Sequence, residues 1–313
     1  MRLCRPATWM AVALLASSVA AGCARPATAS GFTAGRLNVV TAFYPLRFLA
    51  AQIGGDAVSV TDLTKPGAEP HDVELNPRQV ASIVDAGLVV YLKGFQSAVD
   101  QAVAQEAGDR GLDVASTVRL LPLSTGTEGS TESDSSTEIA HGRDPHVWLD
   151  PNRYATIADA LAARLAAADP AHTSTYAARA AALHTMLDAL DDQFAARLRT
   201  CARREIVTGH SAFNYLATRY GLTQVSITGI SPEAEPAPRR LAAVAAEAQR
   251  THTTTIFFET LVSPKVAETL AREVGATTAV LDPLEGLTEP GGDYFSGMRG
   301  NLAALTTALG CTT

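Results

Sequence analysis

Lysine is scarce in this chain. Only Lys65, Lys93 and Lys265 stand among 25 basic residues, and 32 acids give a formal net charge of −7. That acidic balance gives no field to draw in nucleic acid or anionic lipid, which excludes a nucleic-acid partner. Cysteine is rare too. Cys4, Cys23, Cys201 and Cys311 are too few for a disulfide scaffold, and none stands in the C-x-x-C spacing of a zinc ribbon or redox pair. The chain also lacks a G-x-x-x-x-G-K-[ST] phosphate loop and an H-E-x-x-H zinc-hydrolase helix, so it carries neither a nucleotide motor nor that general base. What remains is 313 residues, 47% hydrophobic and 18% charged, long enough for two domains and too apolar for disorder.

The N-terminus carries Arg2 and Arg5, then an apolar run from Ala7 to Ala21 that leads into Gly22-Cys23. A basic start, a short apolar stretch and small residues at a cleavage point describe an export signal over residues 1–22. The run falls short of the roughly 20 residues that span a bilayer. The small residues before Cys23 resemble a bacterial lipobox, with Ala20 where Leu is usual. Cys23 is therefore expected to carry lipid, anchoring the protein to the outer face of the cytoplasmic membrane. Residues 23–36 then form a flexible tether; the alternative is a plain secretory signal with an incidental cysteine. Cys4 leaves with the signal, so Cys201 and Cys311 remain as an even pair in an oxidising compartment, and a disulfide between them is expected rather than two free thiols.

Beyond the tether, β-rich runs alternate with helical stretches, which means βα units on parallel sheets and an α/β class. Residues 37–169 form a first lobe. It is interrupted at 124–142 by a polar segment with four acids (Glu128, Glu132, Asp134, Glu138) and His141, read as a solvated loop. Asp150-Pro151 starts one helix and Asp169-Pro170 another. In the latter, Tyr176, Ala180, Leu183, Leu187, Leu190, Phe194 and Leu198 make a single apolar stripe. That helix, 170–200, is long enough to link two lobes as a strut, and βα alternation resumes over 201–313. Two similar halves predict a cleft between them.

Four potential metal ligands sit where strands end or helices begin: His71 in GAEPHDVELNP, His146 in DPHVWLDP, His210 in GHSAFNYL and Asp282 in VLDPLEGL. Ligands gather at the carboxyl ends of strands in open α/β sheets. Three imidazoles and one carboxylate would make a tetrahedral N/O site suited to Zn²⁺. Their separations match no local metal motif, so spacing alone does not establish the site. Glu259, in TIFFET, also ends a strand and is a candidate for a hydrogen bond to a ligating imidazole or for a helix cap. His172, His184 and His252 lie on or beside helices and read as structural or solvent-facing. Phe43, Tyr44, Trp148 and Phe213 are candidates for the cleft wall or for core packing.

These motifs, in this order around a central helix, resemble the metal-binding lipoproteins of ABC importers, which include zinc-specific ZnuA-like and manganese-specific members. The resemblance runs from about Leu37 to Cys311. It implies two Rossmann-like βα lobes with parallel sheets, joined by one long rigid helix. The metal would lie in the interlobe cleft, held by His71, His146, His210 and Asp282. Manganese members usually place Glu where His210 stands, so the third imidazole favours zinc. Pro70 occupies the position where some zinc members have an acid, which leaves the fourth ligand open between Asp282, Glu69 and water. The resemblance further implies no enzymatic activity and a monomer that delivers Zn²⁺ to a membrane permease driven by a cytoplasmic ATPase. Competing readings are manganese or iron specificity, a surface adhesin and a zinc hydrolase.

Overall fold

The computed structural model describes residue 1 and residues 31–123, 142–286 and 292–312. The expected signal segment, Cys23 and nearly all of the acidic loop, including His141, lie outside the described residues. Ordered structure begins within the stretch read as tether. Phe32 packs against the core, and strand β1 (Phe32–Thr33) turns back on β2 (Arg36–Thr41). Gly31 and Gly35 take φ of 92° and 78° there, a conformation open to glycine, and so permit the tight hairpin.

In the first half, β2, β3 (Val58–Asp62), β4 (Leu88–Tyr91) and β5 (Gly111–Asp113) run parallel in the order β3-β2-β4-β5. Helices α1 (Tyr44–Gly54), α2 (Pro77–Val84) and α3 (Ser97–Glu106) alternate with them. After α4 (Pro151–Ala168) and α5 (Thr173–Leu198), the second half repeats the scheme. Its strands β6 (Glu205–Thr208), β7 (Thr223–Ser226), β8 (Thr255–Phe258) and β9 (Thr277–Val280) run parallel in the order β7-β6-β8-β9. Helices α6 (Asn214–Tyr220), α7 (Pro238–Arg250) and α8 (Lys265–Val274) alternate with these strands, and α9 (Tyr294–Leu309) closes the chain. With β1 set aside, both sheets read second, first, third, fourth strand. The order reverses between β2 and β4 and between β6 and β8, which opens a crevice beyond the carboxyl ends of those strands in each half.

Burial on both faces explains the apolar strand runs. Ile206 and Phe257 join the main core, while their neighbours Val207 and Ile256 face a smaller core with Val225, Val244, Ala248 and Leu270 under α7 and α8. Asp150 caps α4 by accepting from the backbone N–H groups of Asn152 and Arg153, with Pro151 in the first turn. The Asp169-Pro170 start differs from expectation. Residues 170–172 make a single tight 3₁₀ turn, and α5 begins only at Thr173. The Asp169 carboxylate is engaged by the His172 ring and the Tyr176 hydroxyl, each at 2.7 Å, rather than by free helix N–H groups.

All seven residues of the apolar stripe on α5 are buried. At about 1.5 Å per residue the helix is roughly 39 Å long. It packs against α1 and α4 of the first half and against α6 and α9 of the second. Arg179 donates to the Gly54 carbonyl at 2.7 Å; further along, Asp191 takes the Arg219 guanidinium and the Tyr220 hydroxyl, the latter at 2.8 Å. One helix thus braces both halves.

Cys201, just after α5, is joined by a disulfide to Cys311, just after α9, closing a separation of 110 residues. Reduction, or Cys201→Ser with Cys311→Ser, is expected to lower unfolding free energy by about 2–4 kcal/mol. Denaturant titration with and without reductant measures this, and identical midpoints would refute it.

Candidate metal centre

His71 lies on the loop between β3 and α2. Buried Gln96 pins that loop, its Nε2 donating to the Pro70 carbonyl and the Thr64 hydroxyl, both at 3.0 Å. His146 lies just before a 3₁₀ turn, Val147–Leu149. His210 follows β6 at the reversal of strand order, its carbonyl held by the Thr208 hydroxyl at 2.8 Å and by Gln224 at 2.9 Å. A Cβ on Gly209 beside it would come within 2.6 Å of the Glu259 carboxylate, so any larger residue there would displace that group.

The three Nε2 atoms converge on one carboxylate oxygen, Oε1 of Glu285. It lies 3.3 Å from His71, 3.0 Å from His146 and 3.3 Å from His210, and the latter two rings approach each other to 3.3 Å. A tetrahedral zinc site with bonds of about 2.0–2.1 Å places its ligand atoms about 3.3–3.4 Å apart. The donor set fits such an ion. His146 and His210 are fully buried and Glu285 is 1% exposed. Burying that carboxylate among imidazoles is costly unless a cation or protons balance it.

Asp282, expected to complete the set, stands outside this group. Its Oδ1 accepts the N–H of Leu284 at 2.8 Å, an Asx turn, and its backbone exchanges hydrogen bonds with Asn301 on α9. That turn carries the chain through Leu284, strained at φ 58°, and delivers Glu285 three residues on. Asp282 builds the turn and Glu285 reaches the imidazoles. Glu69, the other alternative, accepts the backbone N–H of His71 at 2.9 Å and stays 3.9 Å from its ring nitrogen. Glu69 and Glu285 are shifted in opposite directions. Burial and then the Glu285 charge push Glu69 up to about 8. Burial would also raise Glu285, but the three imidazoles outweigh it and hold its pKa well below the carboxylate range.

Behind the Nε2 atoms, carboxylates hold the opposite edges of two rings. Asp144 Oδ1 accepts from both the backbone N–H and Nδ1 of His146, at 2.9 and 2.8 Å. Glu259 accepts the His210 backbone N–H at 3.0 Å, and its other oxygen lies 2.6 Å from Nδ1. Of the two roles open to Glu259, a partner of an imidazole or a helix cap, these contacts place it behind the His210 ring. Both pairs leave Nε2 free to face an ion. Burial opposes charge on His146 and His210, but Asp144 with Glu285, and Glu259 with Glu285, raise their pKa values. His71, turned edge-on to Phe95 at 4.6 Å, is lowered by burial.

Of the candidate aromatics, Trp148 stands beside His146 at 5.3 Å, while Phe43 packs behind it against Trp148 and Phe95. Phe213 and Tyr44 are core residues. His172 and His184 are 43% exposed at the side chain, and His252 follows α7 in a turn. The sequence reading missed Glu285, Asp144 and Phe95. The first two lie inside the quoted motifs VLDPLEGL and DPHVWLDP, so the signal was a second acid within each motif.

The profile of a family described as ZnuA, "Zinc-uptake complex component A periplasmic", matches residues 39–308. The "Zinc-binding lipoprotein AdcA" of Streptococcus pneumoniae is 38% identical over 277 residues, 87% of this chain and 55% of that protein. The chain thus spans about half the length of that relative. The "High-affinity zinc uptake system protein ZnuA" of Bacillus subtilis is 34% identical over 280 residues, 88% of each protein. Among solved structures, the Zn(II)-bound ZnuA-like domain of Streptococcus pneumoniae AdcA superposes with a TM-score of 0.73 at 35% identity, covering 88% of this chain and 99% of that one.

Proposed function

The chain belongs to the zinc-uptake complex component A family, and on that premise we propose that it captures Zn²⁺ outside the cytoplasm and hands it to an ABC-type permease driven by a separate ATPase. The observation that carries this is the convergence of three buried imidazole Nε2 atoms on Glu285 Oε1 at 3.0–3.3 Å. His71, His146, His210 and Glu285 are the ligands. A single copy supplies all four, so a monomer suffices. Glu285 closes the position that a hydrolase keeps open for water, so the ion is cargo rather than catalyst. Among the described residues no helix is long and apolar enough to cross a membrane. Lipid on Cys23 would supply the anchor and raise the local concentration for docking to the permease.

Three imidazoles with one carboxylate favour a borderline ion over the harder Mn²⁺. Protein purified without chelator is expected to contain about one equivalent of zinc, and excess Mn²⁺ should not displace it. Elemental analysis before and after Mn²⁺ challenge measures this; zinc-free protein that takes up manganese in preference would overturn the zinc reading.

A further inference from the structure

Two aromatic side chains outside the ligand set reach between the halves in reciprocal fashion. Trp148, in the first half, donates its indole N–H to the Pro283 carbonyl at 2.7 Å, two residues before Glu285. Tyr215, on α6 of the second half, donates its hydroxyl to the Asp144 carbonyl at 2.7 Å, two residues before His146. That hydroxyl also accepts the N–H of Leu121 at 2.8 Å. Each half thus holds the backbone that presents a ligand belonging to the other. Asp144 is moreover the residue whose carboxylate grips the His146 ring, so Tyr215 bears on the backbone and the ring together.

Both side chains are buried, Trp148 at 1% and Tyr215 at 0% exposure. Without their polar tips, the Pro283 and Asp144 carbonyls would lose these partners in a dry interior. The ligand-bearing segments of the two halves cannot part around an ion without breaking both bonds. We propose that Trp148 and Tyr215 are reciprocal positioning residues, latches that set ligand geometry across the cleft and govern how fast zinc leaves. This rests on the zinc-capture reading above.

Tyr215→Phe keeps the ring and loses only the hydroxyl, and Trp148→Phe removes the indole N–H. Tyr154→Phe is the control: its buried hydroxyl donates to the Pro45 carbonyl at 2.6 Å, within the first half. Zinc release into a chromophoric chelator is followed by stopped flow. Co²⁺ absorption reports ligand geometry, and the thermal midpoint of the metal-free protein reports stability. Tyr215→Phe and Trp148→Phe are expected to release zinc roughly tenfold faster, in keeping with loss of one buried hydrogen bond, and to shift the Co²⁺ spectrum. Tyr154→Phe should lower the midpoint while leaving release and spectrum unchanged. Wild-type release and spectra in both latch variants, or equal acceleration in Tyr154→Phe, would overturn the latch while leaving zinc capture standing. A wild-type protein that fails to retain zinc in the same assay would overturn both.

Discussion

Glu285→Ala is expected to weaken zinc binding by more than about 100-fold, the upper end of what loss of a supporting outer partner costs. Asp282→Asn should stay within a few-fold of wild type. The contrast follows from where the two carboxylates point. Glu285 contributes the oxygen that meets all three imidazoles, and it brings the one negative charge of the four converging groups to a site that is almost wholly buried. Removing it leaves a divalent ion without that counter-charge in a poorly solvating interior. Asp282 uses its oxygen to accept from Leu284, a task the Asn carbonyl oxygen can also perform. Competition titration against a chelator of known affinity separates the two variants. Equal losses in both, or a larger loss in Asp282→Asn, would return the fourth ligand to Asp282.

Acid should release the ion. Zinc takes the neutral imidazole, so protons and metal compete for the same Nε2 atoms. An imidazole with the ordinary pKa of about 6.5 costs roughly one decade of affinity between pH 7.5 and 5.5, and three cost up to about three decades. In the metal-free protein, carboxylates raise His146 and His210 against the opposing effect of burial, so their competition extends to higher pH. Burial lowers His71, which competes only at the acid end. Calorimetric titrations across this range that showed a constant affinity would contradict three imidazole ligands.

The same shifts act in the opposite sense on the stability of the metal-free fold. His146 and His210 hold protons more tightly folded than unfolded. Their contribution is full below the ordinary imidazole value and fades as pH rises through the raised folded values. His71 works the other way, its buried neutral ring disfavouring acid. As pH rises through those raised values, bound zinc would balance the Glu285 charge that protons balance at lower pH. Bound metal stabilises the folded chain because the unfolded chain lacks the assembled site.

Local chemistry made much of this protein legible in one dimension. The alternation of β-rich and helical runs fixed the α/β class, because strand and helix periodicities differ regardless of where the chain goes next. The stripe from Tyr176 to Leu198 named every buried position of α5, since helical geometry alone brings those residues to one face. The three histidines were legible through their flanking motifs. Short elements were not. β5 is three residues, Gly111–Asp113, and exists because β4 offers it a partner. No local pattern announces so brief a strand.

The fourth group at the site was decided by tertiary structure. VLDPLEGL offers two acids three residues apart, and both follow the same strand. Which of them reaches the imidazoles depends on an Asx turn at Asp282, on Asn301 holding that turn from α9, and on Trp148 gripping Pro283 from the other half. Each of those contacts joins residues at least a helix apart or turns the backbone back on itself, and none leaves a trace in periodicity or composition. The sequence by itself marked His71, His146 and His210, and an acid of the VLDPLEGL motif, as groups that could bind a metal. Only the packing of the two halves decided which of them meet, because convergence to about 3 Å is a property of the folded backbone rather than of any segment of it.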